Sequence, residues 1–223
     1  MKKLVLFLVL AVIAAGGAFA LPEFKLSAGA GGYFTSDFGG GIEASADGET
    51  WSMKIPYAGG GGFAFFDATY AELSFGFFGG GGTMKMEPAE DSGESDFSVM
   101  GLDIGLLGKY PFTVGEKLTV FPLLGIDYRV MLSVKNENGD ELKDAEDDKK
   151  LAGDWSALWF KLGGGLDFAF TDHVFLRGNL LYGLRLASKF ENDMVDAMDE
   201  PGVDTKTLLG HGLEVKIAVG YRF

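Results

Sequence analysis

Leu209–Phe223 reads LGHGLEVKIAVGYRF. Every second residue, from Leu209 through His211, Leu213, Val215, Ile217, Val219 and Tyr221 to Phe223, falls on one face, and all but His211 are apolar or aromatic. Gly210, Gly212, Glu214, Lys216, Ala218, Gly220 and Arg222 fall on the other face, small or charged. A strict period of two over this length predicts one long strand held between two very different environments.

The same alternation recurs seven times upstream, predicting strands at Phe24–Phe34, Met53–Phe66, Tyr70–Met86, Phe97–Phe112, Leu118–Lys135, Trp155–Phe170 and Val174–Ser188. In the third, Ala71, Leu73, Phe75 and Phe77 oppose Glu72, Ser74 and Gly76. In the second, the aromatics Tyr57, Phe63 and Phe65 are assigned to the outer face, which leaves Gly60, Gly62 and Ala64 inside. In the fifth, Val120 through Val134 share the outer face opposite Asp127 and Arg129. The connections alternate in length. Long polar stretches lie at 36–52, 87–96, 136–154 and 189–206, and short ones at 67–69, 113–117 and 171–173. Eight strands joined in this way predict an all-β fold, an eight-stranded antiparallel up-and-down transmembrane β-barrel with short periplasmic turns and long outer loops. Each strand exceeds the roughly 9–11 residues that cross a bilayer when tilted. A soluble sandwich or lipocalin-like barrel would use the same alternation with its apolar faces turned inward.

The flanks of the chain favour the membrane reading. Met1, Lys2 and Lys3 form a basic start, Leu4–Ala15 an apolar run too short to span, and Ala18-Phe19-Ala20 a small-x-small cleavage site. Residues 1–20 therefore read as a signal peptide for Sec-type export, and 21–223 as one barrel domain of the bacterial outer membrane. With no Cys, thiol chemistry and Cys-based metal sites are excluded. A net charge of −13 opposes nucleic-acid binding. That charge is concentrated in the four long stretches, which carry about −4, −5, −5 and −4 by counting Asp and Glu against Lys. They are the candidate surface for a host or matrix ligand, because binding residues concentrate on loops held by a rigid scaffold. No calcium-loop pattern occurs in them, and neither a cofactor nor a metal is expected.

With the apolar faces outside, Lys25, Glu72, Asp103, Lys109, Asp127, Arg129, Lys161, Asp167, Arg177, Arg185, Glu214, Lys216 and Arg222 share the interior. Side chains fill an eight-stranded barrel, and unpaired buried charges are costly. These residues are therefore expected to form a structural salt-bridge plug, with Arg129 and Lys109 as partners for Asp103 and Asp127. The sharper alternative is a gated polar path, which the bulky inward Phe121, Leu123, Trp159 and Leu181 oppose. Catalysis has little to work with. His173 falls in a short turn, and His211 on the outer face beyond reach of any lumen Ser or Asp. The runs Gly59–Gly62 and Gly79–Gly82 lack the G-K-[ST] that a phosphate loop requires.

The eight alternating strands and the ending Val219-Gly220-Tyr221-Arg222-Phe223 resemble the small outer-membrane barrels of the OmpA, OmpX, OmpW and opacity-protein type. The resemblance covers the mature chain and implies that Val219, Tyr221 and Phe223 are read by the barrel-assembly machinery. It departs from the OmpA pattern in that no peptidoglycan-binding domain follows the barrel. An OmpW-like apolar passage does not fit the charged interior. The expected function is thus a non-enzymatic envelope-structural or surface-recognition barrel contacting outer-membrane lipid. A narrow channel or transporter for small solutes is the runner-up.

Overall fold

In the computed structural model, described for residues 24–46, 48–87, 94–143, 151–197 and 203–223, the sheet closes on itself. Strand β1 (Ser27–Phe38) pairs antiparallel with β12 (His211–Arg222) along its full length, from Ser27 opposite Arg222 to Phe38 opposite His211. Between them run β4 (Tyr57–Asp67), β5 (Ala71–Glu87), β6 (Ser95–Lys109), β8 (Leu118–Asn136), β9 (Ala157–Ala169) and β10 (Val174–Ser188), each paired with the next. The ring is β1-β4-β5-β6-β8-β9-β10-β12, an eight-stranded closed antiparallel barrel. Closure leaves no unpaired edge, the condition for placing backbone polar groups in lipid. The predicted signal peptide lies outside the described residues.

The barrel is apolar outside and charged inside. Phe75, Leu180 and Ile217 expose 54%, 58% and 58% of their surface, whereas Glu72 and Arg177 expose 0% and 1%. The exposed residues are part of a belt that includes Phe66, Leu73, Phe77, Leu102, Ile104, Leu106, Leu124, Ile126, Leu162, Leu166 and Val215. Soluble monomers do not carry contiguous apolar surface of this size. The structure is thus a membrane-spanning barrel of the outer-membrane type.

Strand β4 runs opposite to its predicted facing. Tyr57, Phe63 and Phe65 are buried, and Ala64 and Phe66 face out. The cause is Asp67. It belongs to the strand rather than to a turn, lies in phase with these aromatics, and ion-pairs inside. Gly60, Gly62 and Ala64 therefore lie on the outer face, while Gly61 takes the inner one. There the backbones approach so closely that a Cβ on Gly61 would run into the carbonyl oxygen of Phe77. In β8 a bulge between the Gly101–Met131 and Met100–Ser133 pairs shifts the phase, and Val134 is buried rather than lipid-facing.

The described residues of the stretches 36–52 and 189–206 are folded, not simply solvated loops. β1 continues to Phe38, then β2 (Gly41–Ala46) and β3 (Glu49–Lys54) form a hairpin. β3 pairs with the top of β5 at Lys85–Glu87, and β11 (Val203–Leu208) pairs with β2. A helix, Lys189–Ala197, and a 3₁₀ turn, Leu151–Gly153, complete a cap over this end. Its core joins Ile42, Met53 and Ile55 to Phe97, Val134 and Trp155, with Phe190 packed on Trp155 at 5.0 Å between ring centres. The Asp144–Asp148 run and most of 87–96 lie outside the described residues.

At the opposite end the connection after β6 is more than a turn. β7 (Phe112–Val114) pairs with Leu118–Val120, making a short hairpin that prolongs the barrel wall.

Candidate functional site: the charged lumen

Two arginines organise the interior, each placed by alternation on a strand whose opposite face meets lipid. Arg177 on β10 stands opposite Asp167 on β9, and the pair is bidentate: Nε donates to Oδ1 at 2.7 Å and Nη2 to Oδ2 at 2.7 Å. Its other bonds reach across the lumen, from Nη1 to Glu72 at 2.5 Å and from Nη2 to Asp67 at 2.6 Å. Lys109 also pairs with Asp67, and this replaces the expected partnership with Asp127. The guanidinium lies 4.5, 5.3 and 5.2 Å from the ring centres of Phe65, Phe121 and Phe175. In this dry setting, charge-assisted bonds and cation–π contacts reinforce one another.

Arg129 repeats the device nearer the cap. Its partner across β6–β8 is Asp103, 2.8 Å from Nε. Nη1 donates to the Tyr57 hydroxyl and Nη2 to Thr35 at 3.2 Å, while Phe78 and Trp159 flank the guanidinium at 5.0 and 5.5 Å. Tyr33 donates to the second Asp103 oxygen at 2.5 Å. Glu214 takes Lys161 at 2.9 Å and Lys216 at 3.0 Å. In this layer Arg129, Lys161 and Lys216 face Asp103, Asp127 and Glu214, three cations against three carboxylates.

A third knot ties the barrel to the cap. Arg185 bonds Asp37 on β1 at 3.2 Å and Glu191 on the cap helix at 2.5 Å. Burial pushes the Glu191 carboxyl up from its ordinary value, and Arg185 offsets only part of that rise. Asp37 and Glu191 fall within the long acidic stretches 36–52 and 189–206. Both turn inward, so the cap surface carries less negative charge than the sequence suggests.

The remaining two predicted lumen residues lie at the turn end. Arg222 rests over Phe175 at 5.1 Å, and Lys25, just ahead of β1, is exposed; both border a vestibule of about 300 Å³. Polar inward side chains outside the predicted charged set include Asp37, Asp67, Tyr33, Tyr57, Thr35 and Glu191. All but Glu191 continue the inward phase of β1 or β4, which was the available signal. Between the vestibule and the cap, Phe121, Leu123, Trp159 and Leu181 expose 3%, 0%, 2% and 0%. They interleave with the arginine knots, so the lumen is filled by side chains along this stretch.

The two histidines are held by backbone and ring contacts. His173 Nδ1 lies 3.0 Å from the Arg222 carbonyl oxygen, with its ring stacked on Tyr221. His211 meets Phe38 edge-on at 4.5 Å.

No protein-family model matches the sequence. No curated protein matches it. Among solved structures, neisserial surface protein A (NspA) is 13% identical, covering 87% of this chain and 99% of its own, with a TM-score of 0.41. Ail, the attachment invasion locus protein of Yersinia pestis, is 14% identical over 86% of this chain and 99% of its own, with a TM-score of 0.33. The outer-membrane protease OmpT of Escherichia coli is 8% identical over 91% and 99%, with a TM-score of 0.46. The fold assignment stands on barrel closure and the apolar exterior rather than on these likenesses.

Proposed function

We propose that the protein is a non-enzymatic barrel of the bacterial outer membrane with a structurally plugged lumen. Its cap would be the working surface, in an envelope-structural or surface-recognition (adhesive) role. The observation that carries this reading is the packed interior: ion pairs and bulky apolar side chains occupy the space a solute would need. Support for recognition comes from the cap. Its strands hold Glu49, Trp51, Met86 and Glu87 exposed on a sheet rather than on unstructured chain, and a rigid presenting surface lowers the entropic cost of binding. A host or matrix ligand would meet segments 36–52, 87–96, 136–154 and 189–206. Export by the signal peptide and recognition of Val219, Tyr221 and Phe223 by the barrel-assembly machinery complete the proposal.

In planar bilayers the purified protein is expected to give no sustained single-channel current. Steady open-channel conductance would overturn the plug and favour the narrow channel. For recognition, cells displaying the protein with 41–54 replaced by a Gly/Ser linker should lose binding to host cells or matrix. Undiminished binding would remove the adhesive role while leaving the plug standing.

A further inference from the structure

The connection between β4 and β5 is built on a strained residue. Thr69 has a φ of 61°, and among the described residues it is the only one other than glycine with a positive φ; Gly39, Gly41, Gly48, Gly115 and Gly139 take the other such positions. The N–H of Tyr70 donates back to the carbonyl of Ala68 at 2.6 Å, so Thr69 is the middle residue of a three-residue turn. With a positive φ this is the rare, strained form of the γ-turn. A β-branched side chain is a costly occupant there, because its Cβ crowds the backbone and a glycine would not.

The strain is matched by what the side chain holds. In the β1–β4 ladder Ser27 stands opposite Asp67, and there the ladder stops. Two places further on, the same register sets Lys25 opposite Thr69, and the Thr69 hydroxyl takes over the pairing. It accepts the backbone N–H of Lys25 at 2.6 Å and donates to the carbonyl of the same residue at 2.8 Å. Thr69 is buried, so these bonds are sheltered from water. The next residue, Leu26, is held from the other side, where its carbonyl accepts the N–H of Phe223 at 2.9 Å. On the far side of the turn the carbonyl of Tyr70 accepts the N–H of Lys109 at 2.9 Å. A row of ties thus runs along this rim from the end of β12, across the entry to β1 and the β4–β5 turn, to the end of β6.

We propose that the strained turn at Thr69 is a clasp that fastens the entry of β1 to the β4–β5 hairpin before the barrel closes, so that β1 offers β12 an edge already in register. The contact between Thr69 and Lys25 spans 44 residues, whereas the seam contact between Leu26 and Phe223 joins the two ends of the described chain. The shorter loop loses less chain entropy on closing and forms first. Register at the seam is demanding, because a slip of one residue would turn Glu214 and Lys216 from the lumen to the lipid face. A hydroxyl on a turn already bent to present it fixes that register where the backbone ladder has run out.

The test uses the mature protein, unfolded in urea and diluted into phosphatidylcholine vesicles, with the closed barrel read over time by heat-modifiable migration and unfolding read by the reverse jump into urea. Thr69→Gly removes both hydroxyl and strain, Thr69→Ala removes the hydroxyl and keeps the strain, and Thr69→Ser keeps the hydroxyl. Folding is expected to slow about tenfold in the glycine and alanine variants, the effect of losing two hydrogen bonds already made in the transition state. Their unfolding should change by less than about twofold, since a contact made before closure acts on the folding rate. Thr69→Ser should fold within about twofold of wild type. Folding of Thr69→Gly at or above the wild-type rate would show that relief of strain outweighs the hydroxyl, and would overturn the clasp. Unchanged folding with faster unfolding in both variants would place the contact after closure and overturn the proposed order. If the glycine and alanine variants never close while Thr69→Ser does, the clasp stands. If Thr69→Ser also fails, the methyl group rather than the hydroxyl governs closure, and the clasp falls.

Discussion

Replacing Arg177 with methionine is expected to destabilise the barrel by about 3–5 kcal/mol, the range for breaking a buried ion pair from one side. Arg177 is the common partner of Asp67, Glu72 and Asp167, and its guanidinium sits among three phenylalanine rings. Methionine fills much of that aromatic space but supplies no donor. Lys109 still answers Asp67, so Glu72 and Asp167 bear the loss. Urea unfolding from vesicles, followed by heat-modifiable migration, reads it as a lower midpoint. The complementary variant neutralises the two stranded carboxylates as well: Arg177→Met with Glu72→Gln and Asp167→Asn, leaving Asp67 to Lys109. Most of the stability should return, because the penalty of the single change comes from stranded charge rather than lost volume. A single variant within about 0.5 kcal/mol of wild type, the scale of an ordinary surface change, would show that these charges are water-solvated and that the plug is not dry.

What the sequence disclosed follows from how many residues of each strand carry an unambiguous sign. In β5, β6, β10 and β12, charged or small residues alternate with large apolar ones over many positions, and the facing of Glu72, Asp103, Arg177 and Glu214 is legible from period two alone. β4 has aromatics or glycine on both faces and a single charge, Asp67. With Asp67 read as part of the turn, nothing in the sequence fixes the phase, and Tyr57, Phe63 and Phe65 read as outward-facing. Asp37 is hidden in the same way, because the alternation reads as ending at Phe34, whereas β1 continues to Phe38. The cap was hidden for a different reason. Its strands are six residues each and pair non-locally, β11 with β2 and β3 with β5. Short polar segments of this kind carry little periodic signal, and their buried side chains, Ile42, Met53 and Ile55, reveal their role only when Trp155 and Phe97 are brought against them. The lumen's cross-links are non-local too. Which carboxylate Lys109 meets depends on the position of β4 relative to β6 around the ring, and no local pattern contains that.

Deleting Phe223 should separate assembly from stability. In the folded barrel Phe223 exposes 71% of its surface, donates its backbone N–H to Leu26 at 2.9 Å, and touches Tyr221 edge-on at 5.5 Å between ring centres. None of these contacts reaches the lumen knots. Refolded into detergent micelles, the shortened chain should therefore unfold within about 1 kcal/mol of wild type, the net worth of one backbone hydrogen bond. In cells the outcome should be very different if Val219, Tyr221 and Phe223 form the recognised face of β12. Outer-membrane levels should drop about tenfold or more, with unfolded chain accumulating or degraded in the periplasm, because the strand that must close against β1 is no longer delivered for pairing. Phe223→Tyr keeps an aromatic ring at the site and should restore most insertion, whereas Phe223→Ala should not. Equal loss in micelles and cells would assign Phe223 a packing role in the closed barrel. Normal outer-membrane levels of the shortened chain would remove the assembly signal from β12 altogether. The contrast between the two settings carries the claim: a residue that contributes little to the finished barrel can govern whether the barrel is built only if something other than the barrel reads it.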